Sequence, residues 1–187
     1  MWKAQDNHLR TKMQTTKKER FIGLIDEHKK IIYKIVNSYC ANPADRKDLE
    51  QEIIIQLWDA FDKYNPEFKY STWMYRIALN TAISYYRKEK KWHTKTDSFD
   101  NATIFHLRTE ETEHREQMNK KVEMLQHFIQ SLNELNKALM LLYLEEKSHS
   151  EIAEILGISK TNVATKIGRI KLKLKNEFLK NLNYETE

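Results

Sequence analysis

Helix breakers are so scarce in this chain that they nearly locate its turns. Only 3 Gly and 2 Pro occur in 187 residues. Glycine supplies the positive φ of tight turns, and proline interrupts helices and sheets. A chain this poor in both cannot make the many turns a sheet needs, so an all-α fold is expected. Three of the five fall between apolar runs. Asn42-Pro43 closes one run and opens the next, with Asn42 placed to cap a helix and Pro43 at its first position. Asn65-Pro66 separates a second pair of runs, and Gly157 interrupts a third.

Gly157 is the centre of the most informative stretch, Ser148 to Lys175. Ser148 and Glu151 spell S-x-x-E, a capping box that starts a helix. Ile152, Ala153, Ile155 and Leu156 give that helix one apolar side. It is too short to be stable alone and must pack on something. Gly157 ends it, Ile158 can plug the turn, and Ser159 can cap a second helix. Val163, Ile167, Ile170 and Leu174 then recur at helical spacing. The outward positions carry Lys160, Asn162, Thr165, Lys166, Arg169, Lys171, Lys173 and Lys175, with no acid before Glu177. A short helix, a glycine turn and a longer basic helix form the helix-turn-helix pattern, whose second helix enters a major groove.

Upstream of this unit the chain divides readily. Residues 1–18 are polar, basic and aperiodic, and are expected to form a mobile arm. Phe21, Leu24, Ile25, Ile32, Ile35, Val36 and Tyr39 lie on one face of a long helix. In the next helix Leu49, Ile53, Leu57, Ala60 and Phe61 form the inner stripe, and Asp48, Gln51, Glu52, Gln56 and Asp59 the polar face. Ile54, Ile55 and Trp58 widen the apolar side, as doubly packed core or as a partner surface. A third helix, with Ser71 or Thr72 as its cap, turns Met74, Ile77 and Ala78 inward. It interleaves aromatics and bases: Trp73, Tyr75, Arg76, Asn80, Tyr86, Arg87, Lys88, Lys90, Lys91 and Trp92. Bases attract phosphate and exposed rings stack unpaired bases, so this mixture suits opened DNA, although Trp73 and Tyr75 also fit a core.

Periodicity fails over 93–117, which is rich in Thr, Asp, Asn and Glu and reads as a linker. It returns with Val122, Leu125, Phe128, Ile129 and Leu132, then with Leu135, Leu139, Leu142 and Tyr143 on a separate helix. The fold class is therefore all-α: two small helical domains, 19–92 and 118–187, joined by a flexible linker. A formal net charge of +5 favours a polyanionic partner. The single Cys40, in an apolar run, is expected buried and fits a reducing compartment. The polar start resembles no signal peptide, and no apolar run approaches the ~20 residues of a membrane span, so a cytoplasmic protein with no membrane span is expected. The seven His show no metal-ligand pairing, and there is no Gly-rich phosphate loop. No catalytic residue, metal or cofactor is expected, and an enzyme is not the reading.

The two halves together resemble a bacterial RNA polymerase sigma factor of the small extracytoplasmic-function type in the sigma-70 family. DLEQEIIIQLWDAFDKY is similar to the region two helix that docks on the polymerase clamp. FKYSTWMYRIALNTAISYYRK is similar to the segment that melts and reads the minus-ten element, with its W-x-x-R-I-A-x-N string at Trp73, Arg76, Ile77, Ala78 and Asn80. The stretch from Leu132 to Lys175 is similar to region four, which reads the minus-thirty-five element, although Asn136 stands after Leu135 where the family usually has Pro, so that Asn136 is expected to cap where Pro would start. The resemblance implies that Asp48, Gln51, Glu52, Ile55 and Trp58 hold core RNA polymerase. It implies that Lys69, Tyr70, Trp73, Arg76, Asn80 and Arg87 handle the minus-ten strand of promoter DNA. It places Ser159, Lys160, Thr161, Asn162, Thr165, Lys166 and Arg169 on the minus-thirty-five duplex, and it allows an anti-sigma partner. The alternative is a conventional helix-turn-helix regulator that is not stably bound to polymerase.

Overall fold

The computed structural model describes the backbone of residues 2–40, 42–93 and 113–184 and the side chains of 17–40, 42–88 and 122–179. Seven α-helices occur among them: α1 (Trp2–Tyr39), α2 (Pro43–Ala60), α3 (Tyr70–His93), α4 (Glu113–Ser131), α5 (Glu134–Leu144), α6 (His149–Leu156) and α7 (Lys160–Tyr184). A 3-10 turn, Phe61–Lys63, follows α2. No strand is present among the described residues. Residues 94–112, most of the stretch read as a linker, lie outside them.

Helices α1, α2 and α3 pack on one another as the first domain. The α2 stripe of Leu49, Ile53 and Leu57 is fully buried against Ile32, Ile35 and Val36 of α1 and Met74, Ala78, Leu79 and Ala82 of α3. Each large aliphatic side chain so buried contributes ~1.5–3 kcal/mol. Asn42 caps α2 as expected, accepting from the Ala44 N–H at 2.9 Å, with Pro43 in the first turn. Two boundaries differ from the sequence reading. The α1 backbone continues through residues 2–18, where the sequence shows no apolar period but also no Pro or Gly to stop a helix. Helix α3 begins at Tyr70, with the Trp73 N–H already donating to the Lys69 carbonyl at 3.2 Å, so Ser71 and Thr72 lie inside the first turn.

Helices α4 to α7 form the second domain, and its turns follow the sequence closely. Ser148 and Glu151 make a reciprocal capping box at α6. Its hydrogen bonds, from the Ser148 backbone first and the hydroxyl second, hold the Glu151 carboxyl below the usual carboxylate range. Gly157 adopts φ 67° and ψ 32°, the left-handed conformation at the end of α6. Ser159 Oγ accepts from the Asn162 N–H at 3.2 Å to open α7. The cap of α5 is Asn133, whose side chain accepts from the Asn136 N–H at 2.9 Å. Asn136 is therefore not the cap that its place after Leu135 suggests, because Asn133 has the extended backbone a cap requires.

The two domains share one contiguous set of buried side chains. Helix α5 lies against α1 and α3, and α6 also packs on α3. Lys137, Ala138, Leu139 and Met140 are consecutive and all buried. At 100° per residue they span most of the circumference of α5, so this helix is covered on both sides.

The turn and the recognition helix give opposite expectations for two glycines. Neither has an atom within 4 Å of an added Cβ. Gly157→Ala should lower the melting temperature, because a side chain at left-handed φ costs roughly 1–2 kcal/mol. Gly168→Ala, in the exposed interior of α7, should raise it, since alanine is favoured there by roughly 0.5–1 kcal/mol. Thermal denaturation by circular dichroism checks both, and shifts of the same sign would contradict the turn geometry.

Candidate nucleic-acid and polymerase interface

The basic face of α7 is built by what anchors the opposite side. Val163, Ile167 and Ile170 are buried against α5 and α6. That registers Lys160, Thr161, Asn162, Thr165 and Arg169 toward solvent, with Lys166 half-buried at the edge. Ser159 is exposed, but its hydroxyl is engaged as the α7 cap, so it sits at the mouth of the face with one role already filled. The Thr165 hydroxyl donates to the Thr161 carbonyl at 2.9 Å. Asn162, with an amide donor beside an acceptor, and Arg169, with paired donors, are the two side chains here that can make bidentate contacts to base edges. The basic run narrows beyond Arg169. Lys171 donates to the Tyr143 hydroxyl at 3.2 Å and lies over that ring. Lys173 lies over Phe128 and within 3.9 Å of Glu177. These two lysines are engaged with neighbouring side chains of the domain instead of extending the open basic row.

The aromatic and basic residues of α3 divide into two groups. Tyr75 is buried core, and its hydroxyl donates to Glu145 at 3.3 Å. Burial, then the Glu145 carboxylate, pushes its phenol well above the usual tyrosine value. Trp73 is half-buried in a ring cluster, edge-on to Tyr64 at 5.4 Å and tilted toward Phe61 at 6.4 Å. Tyr70 stacks on Tyr64 at 4.1 Å with 15° between the rings. Lys69, Arg76 and Asn80 are exposed. Arg87 is exposed too, but its Nε donates to Glu134 of α5 at 2.8 Å. The structure thus gathers Lys69, Tyr70 and Trp73 at the start of α3, sets Arg76 and Asn80 further along it, and ties Arg87 to the other domain.

Two residues of this rim were given no role from sequence. Tyr64 is the platform on which Tyr70 stacks, and its hydroxyl donates to the Phe68 carbonyl. Phe68 is 49% exposed at the tip of the Asn65-Pro66 turn. Their signal was available: aromatics at 64, 68, 70 and 73 bracket a Pro turn, a concentration that a solvated loop does not need.

On α2, Asp48, Gln51, Glu52 and Ile55 share one helical face by their i, i+3, i+4 and i+7 spacing. Asp48, Gln51 and Ile55 are exposed, Ile55 to 51%, and Glu52 is half-buried, accepting from Gln56 at 3.0 Å. Trp58 turns partly away from this face. It packs edge-on against Phe21 at 5.1 Å, and the Lys17 ammonium lies 4.4 Å from its ring centroid. The widened apolar side therefore resolves into both of the readings it allowed: Trp58 and Ile54 are packed on the core, and Ile55 remains open.

No group of three or more His, Cys, Asp and Glu side chains suited to a metal occurs among the described residues. No described helix is long and apolar enough to cross a membrane. A capped helix-turn-helix with a basic outer face, carried beside a helical domain with an acidic face and an aromatic rim, defines a two-domain helical DNA-binding protein. Comparison with known proteins narrows the class. Residues 24–92 match the family model of sigma-70 region 2, and residues 122–174 that of sigma-70 region 4. The chain is 31% identical over 160 residues to RNA polymerase sigma factor SigV of Bacillus subtilis, covering 84% of this chain and 90% of that one. It is 27% identical over 158 residues to ECF RNA polymerase sigma factor SigW of the same organism, covering 81% of this chain and 84% of the relative. Among solved structures, the fold is similar to the sigma factor RpoE of Bartonella quintana in complex with the anti-sigma factor NepR, with a TM-score of 0.65, 16% identity and coverage of 87% of this chain and 96% of that one. The chain belongs to the sigma-70 family, as an extracytoplasmic-function sigma factor.

Packing at the start of α3 separates two otherwise similar substitutions. Trp73→Ala removes a half-buried ring from a cluster of four aromatics and should destabilise the chain, by less than the ~3–5 kcal/mol of a fully buried ring. Asn80→Ala removes an exposed amide and should stay within about 0.5 kcal/mol of the parent. Urea denaturation followed by circular dichroism checks both values.

Proposed function

We propose that this sigma factor reads the minus-thirty-five duplex with the outer face of α7 and opens the minus-ten element with α3, while α2 holds core RNA polymerase. The observation that carries this reading is the α7 face. Five polar or basic side chains from Lys160 to Arg169 are exposed on a helix anchored from behind, with no acid among them. In that arrangement Lys160 and Lys166 serve phosphates, which position the helix, and Asn162 and Arg169 serve base edges, which specify the sequence. Ser159, Thr161 and Thr165 line the entry to the groove.

On α3, Arg76 and Asn80 face the strand along the helix, while Lys69 draws the backbone toward the aromatic rim. Tyr70 and Trp73 present their rings where bases leave the stack. On α2, Asp48, Gln51, Glu52 and Ile55 meet a basic and apolar polymerase surface, with Trp58 stiffening the face from behind. The chain supplies no catalytic residue and needs no cofactor or metal in this role. Nucleotide addition belongs to core polymerase, and the complex works in the cytoplasm. Two similar proteins of known structure are described as complexes with anti-sigma factors, CnrH with the cytosolic domain of CnrY and RpoE with NepR. A cognate anti-sigma partner is accordingly part of this proposal.

Reconstitution with core polymerase tests the reading, on promoters selected from random DNA by the holoenzyme. Arg169→Ala should cost ~1–3 kcal/mol and relax preference at one base pair if it reads a base, or weaken all sequences evenly if it meets phosphate. Asn80→Ala should reduce permanganate reactivity of start-site thymines on duplex promoter. Normal opening by Asn80→Ala would remove α3 from the melting role. Combined Asp48→Lys and Glu52→Lys should weaken core binding about tenfold or more, since each exposed attraction of ~0.2–1 kcal/mol becomes a repulsion. Core binding at the parent affinity would refute the α2 assignment.

A further inference from the structure

The first 20 residues hold most of the chain's excess charge. Lys3, Arg10, Lys12, Lys17, Lys18 and Arg20 stand there against Asp6 and Glu19, a net +4 where the whole chain carries +5. The match to sigma-70 region 2 begins at residue 24, so this basic segment lies ahead of it. Its helical backbone is nonetheless continuous with the rest of α1, from Trp2 to Tyr39.

The described side chains of α1 tie this segment to the aromatic rim. Phe21, the first buried residue among them, packs edge-on against Trp58 at 5.1 Å and Phe61 at 5.3 Å. The Lys17 ammonium pairs with Asp62 at 2.6 Å and lies 4.4 Å from the Trp58 ring centroid. The Arg20 guanidinium lies 6.0 Å from the Phe61 ring centroid. Phe61 in turn is tilted toward Trp73 at 6.4 Å. Helix α1 therefore passes the end of α2 beside the rim, and residues 2–16 run on ahead of Lys17 for about 22 Å.

Lys3 and Arg10 precede Lys17 by two heptads and by one. The three share a register that drifts only ~20° per heptad. Contacts settle that Lys17 faces α2 and the 3-10 turn, and Lys3 and Arg10 continue its line along the helix. A base in a first turn opposes the helix dipole, and the first turn of α1 has no acid to offset it. An anion beside the helix removes that conflict. Only Trp2, Leu9 and Met13 are large apolar residues among 2–16, a poor anchor for a protein partner, whose contact core is depleted of charge.

We propose that residues 2–16 of α1 form an additional DNA contact of the first domain, in which Lys3 and Arg10 meet phosphates of the duplex flanking the opened minus-ten segment. The inference rests on the assignment of the aromatic rim to that segment. Lys17, already held by Asp62, aims the helix and is not counted among the contacts. Phosphate contacts carry no sequence information. They position the rim and strengthen promoter binding in a salt-dependent way.

Holoenzyme made with the full chain tests this. The variant is Lys3→Gln with Arg10→Gln, since glutamine is a good helix former. The control, Lys29→Gln with Lys30→Gln, removes the same charge from exposed positions further along α1. Raising salt from about 50 to 200 mM should weaken promoter binding by the parent and the control about tenfold more than binding by the variant, as two lost phosphate contacts require. Equal salt responses of parent and variant, within about twofold, would overturn the contact. A control that behaves like the variant would assign the effect to net charge and overturn it too. Weaker binding of core polymerase by the variant, with an unchanged salt response on the promoter, would place the segment on polymerase instead. An iron chelate tethered to Thr11→Cys, with the buried Cys40 left in place, should cut duplex beside the permanganate-reactive thymines. Absence of cuts there would overturn the placement. Should the double variant lose helicity, deletion of residues 1–16, which keeps the buried stripe from Phe21 onward, is judged by the same salt criterion. If the parent holoenzyme binds no selected promoter, the promoter assignment is what fails. The phosphate contact is then decided by the chain alone on random duplex: an approximately tenfold difference in salt response between parent and variant supports it, and equal responses overturn it.

Discussion

The burial of α5 on nearly every side is the constraint on which the rest of this structure depends. A helix of 11 residues is too short to persist alone in water. It packs on α6 and α7 and also on α1 and α3, and Lys137, Ala138, Leu139, Met140 and Leu142 are all buried in it. Placing a lysine in that seam is tolerable because its ammonium meets the faces of Tyr39 and Tyr86 in place of water. Burial pushes the Lys137 amine below the ordinary lysine value, and the neighbouring Cys40 and Glu134 act in the opposite direction. Tyr39 responds to the same environment: burial first, then the Glu134 carboxylate, pushes its phenol far above the usual range.

Around that seam, the functional surfaces are those left over from packing. The α7 face is basic because Val163, Ile167 and Ile170 occupy the inward positions and no acid is placed among the outward ones before Glu177. The α2 face is acidic because its apolar stripe is spent on the α1–α3 core. The rim at the start of α3 is aromatic because four rings, Phe61, Tyr64, Tyr70 and Trp73, brace one another across a Pro turn. A braced ring loses little further freedom when a base stacks on it, which is what a strand-opening surface requires. Family membership and geometry agree on a promoter-recognising subunit.

Much of this was legible in the chain because the signals are local. Scarce Gly and Pro set the fold class, and Asn42-Pro43, Ser148-x-x-Glu151, Gly157 and Ser159 each fixed a helix end through hydrogen bonds spanning at most four residues. The apolar stripes of α1, α2 and α7 follow from a 3.6-residue period, and Cys40 is buried as its apolar neighbours imply. Where local competition was close, the sequence misled. Two asparagines near α5 both suit a cap, and only the backbone conformation of Asn133 selects between them.

Tertiary structure alone decided the roles that depend on a second element. Tyr75 and Trp73 are both aromatic, two residues apart on α3, and each could be core or open surface by sequence, but Tyr75 is buried with its hydroxyl on Glu145 while Trp73 stays half-buried beside Tyr64. Arg87 reads as an unpaired cation in the sequence, and Glu134, 47 residues away, accepts a hydrogen bond from its Nε–H. Lys137 reads as a solvated lysine and is buried. The sequence by itself determined the all-helical class, most of the helix ends and which faces are polar, since each of these is settled within a turn or two of chain. It left open which polar face meets solvent and which meets the other domain. That choice is made by contacts between residues up to 111 positions apart, as at Lys34 and Glu145, and no local pattern encodes them.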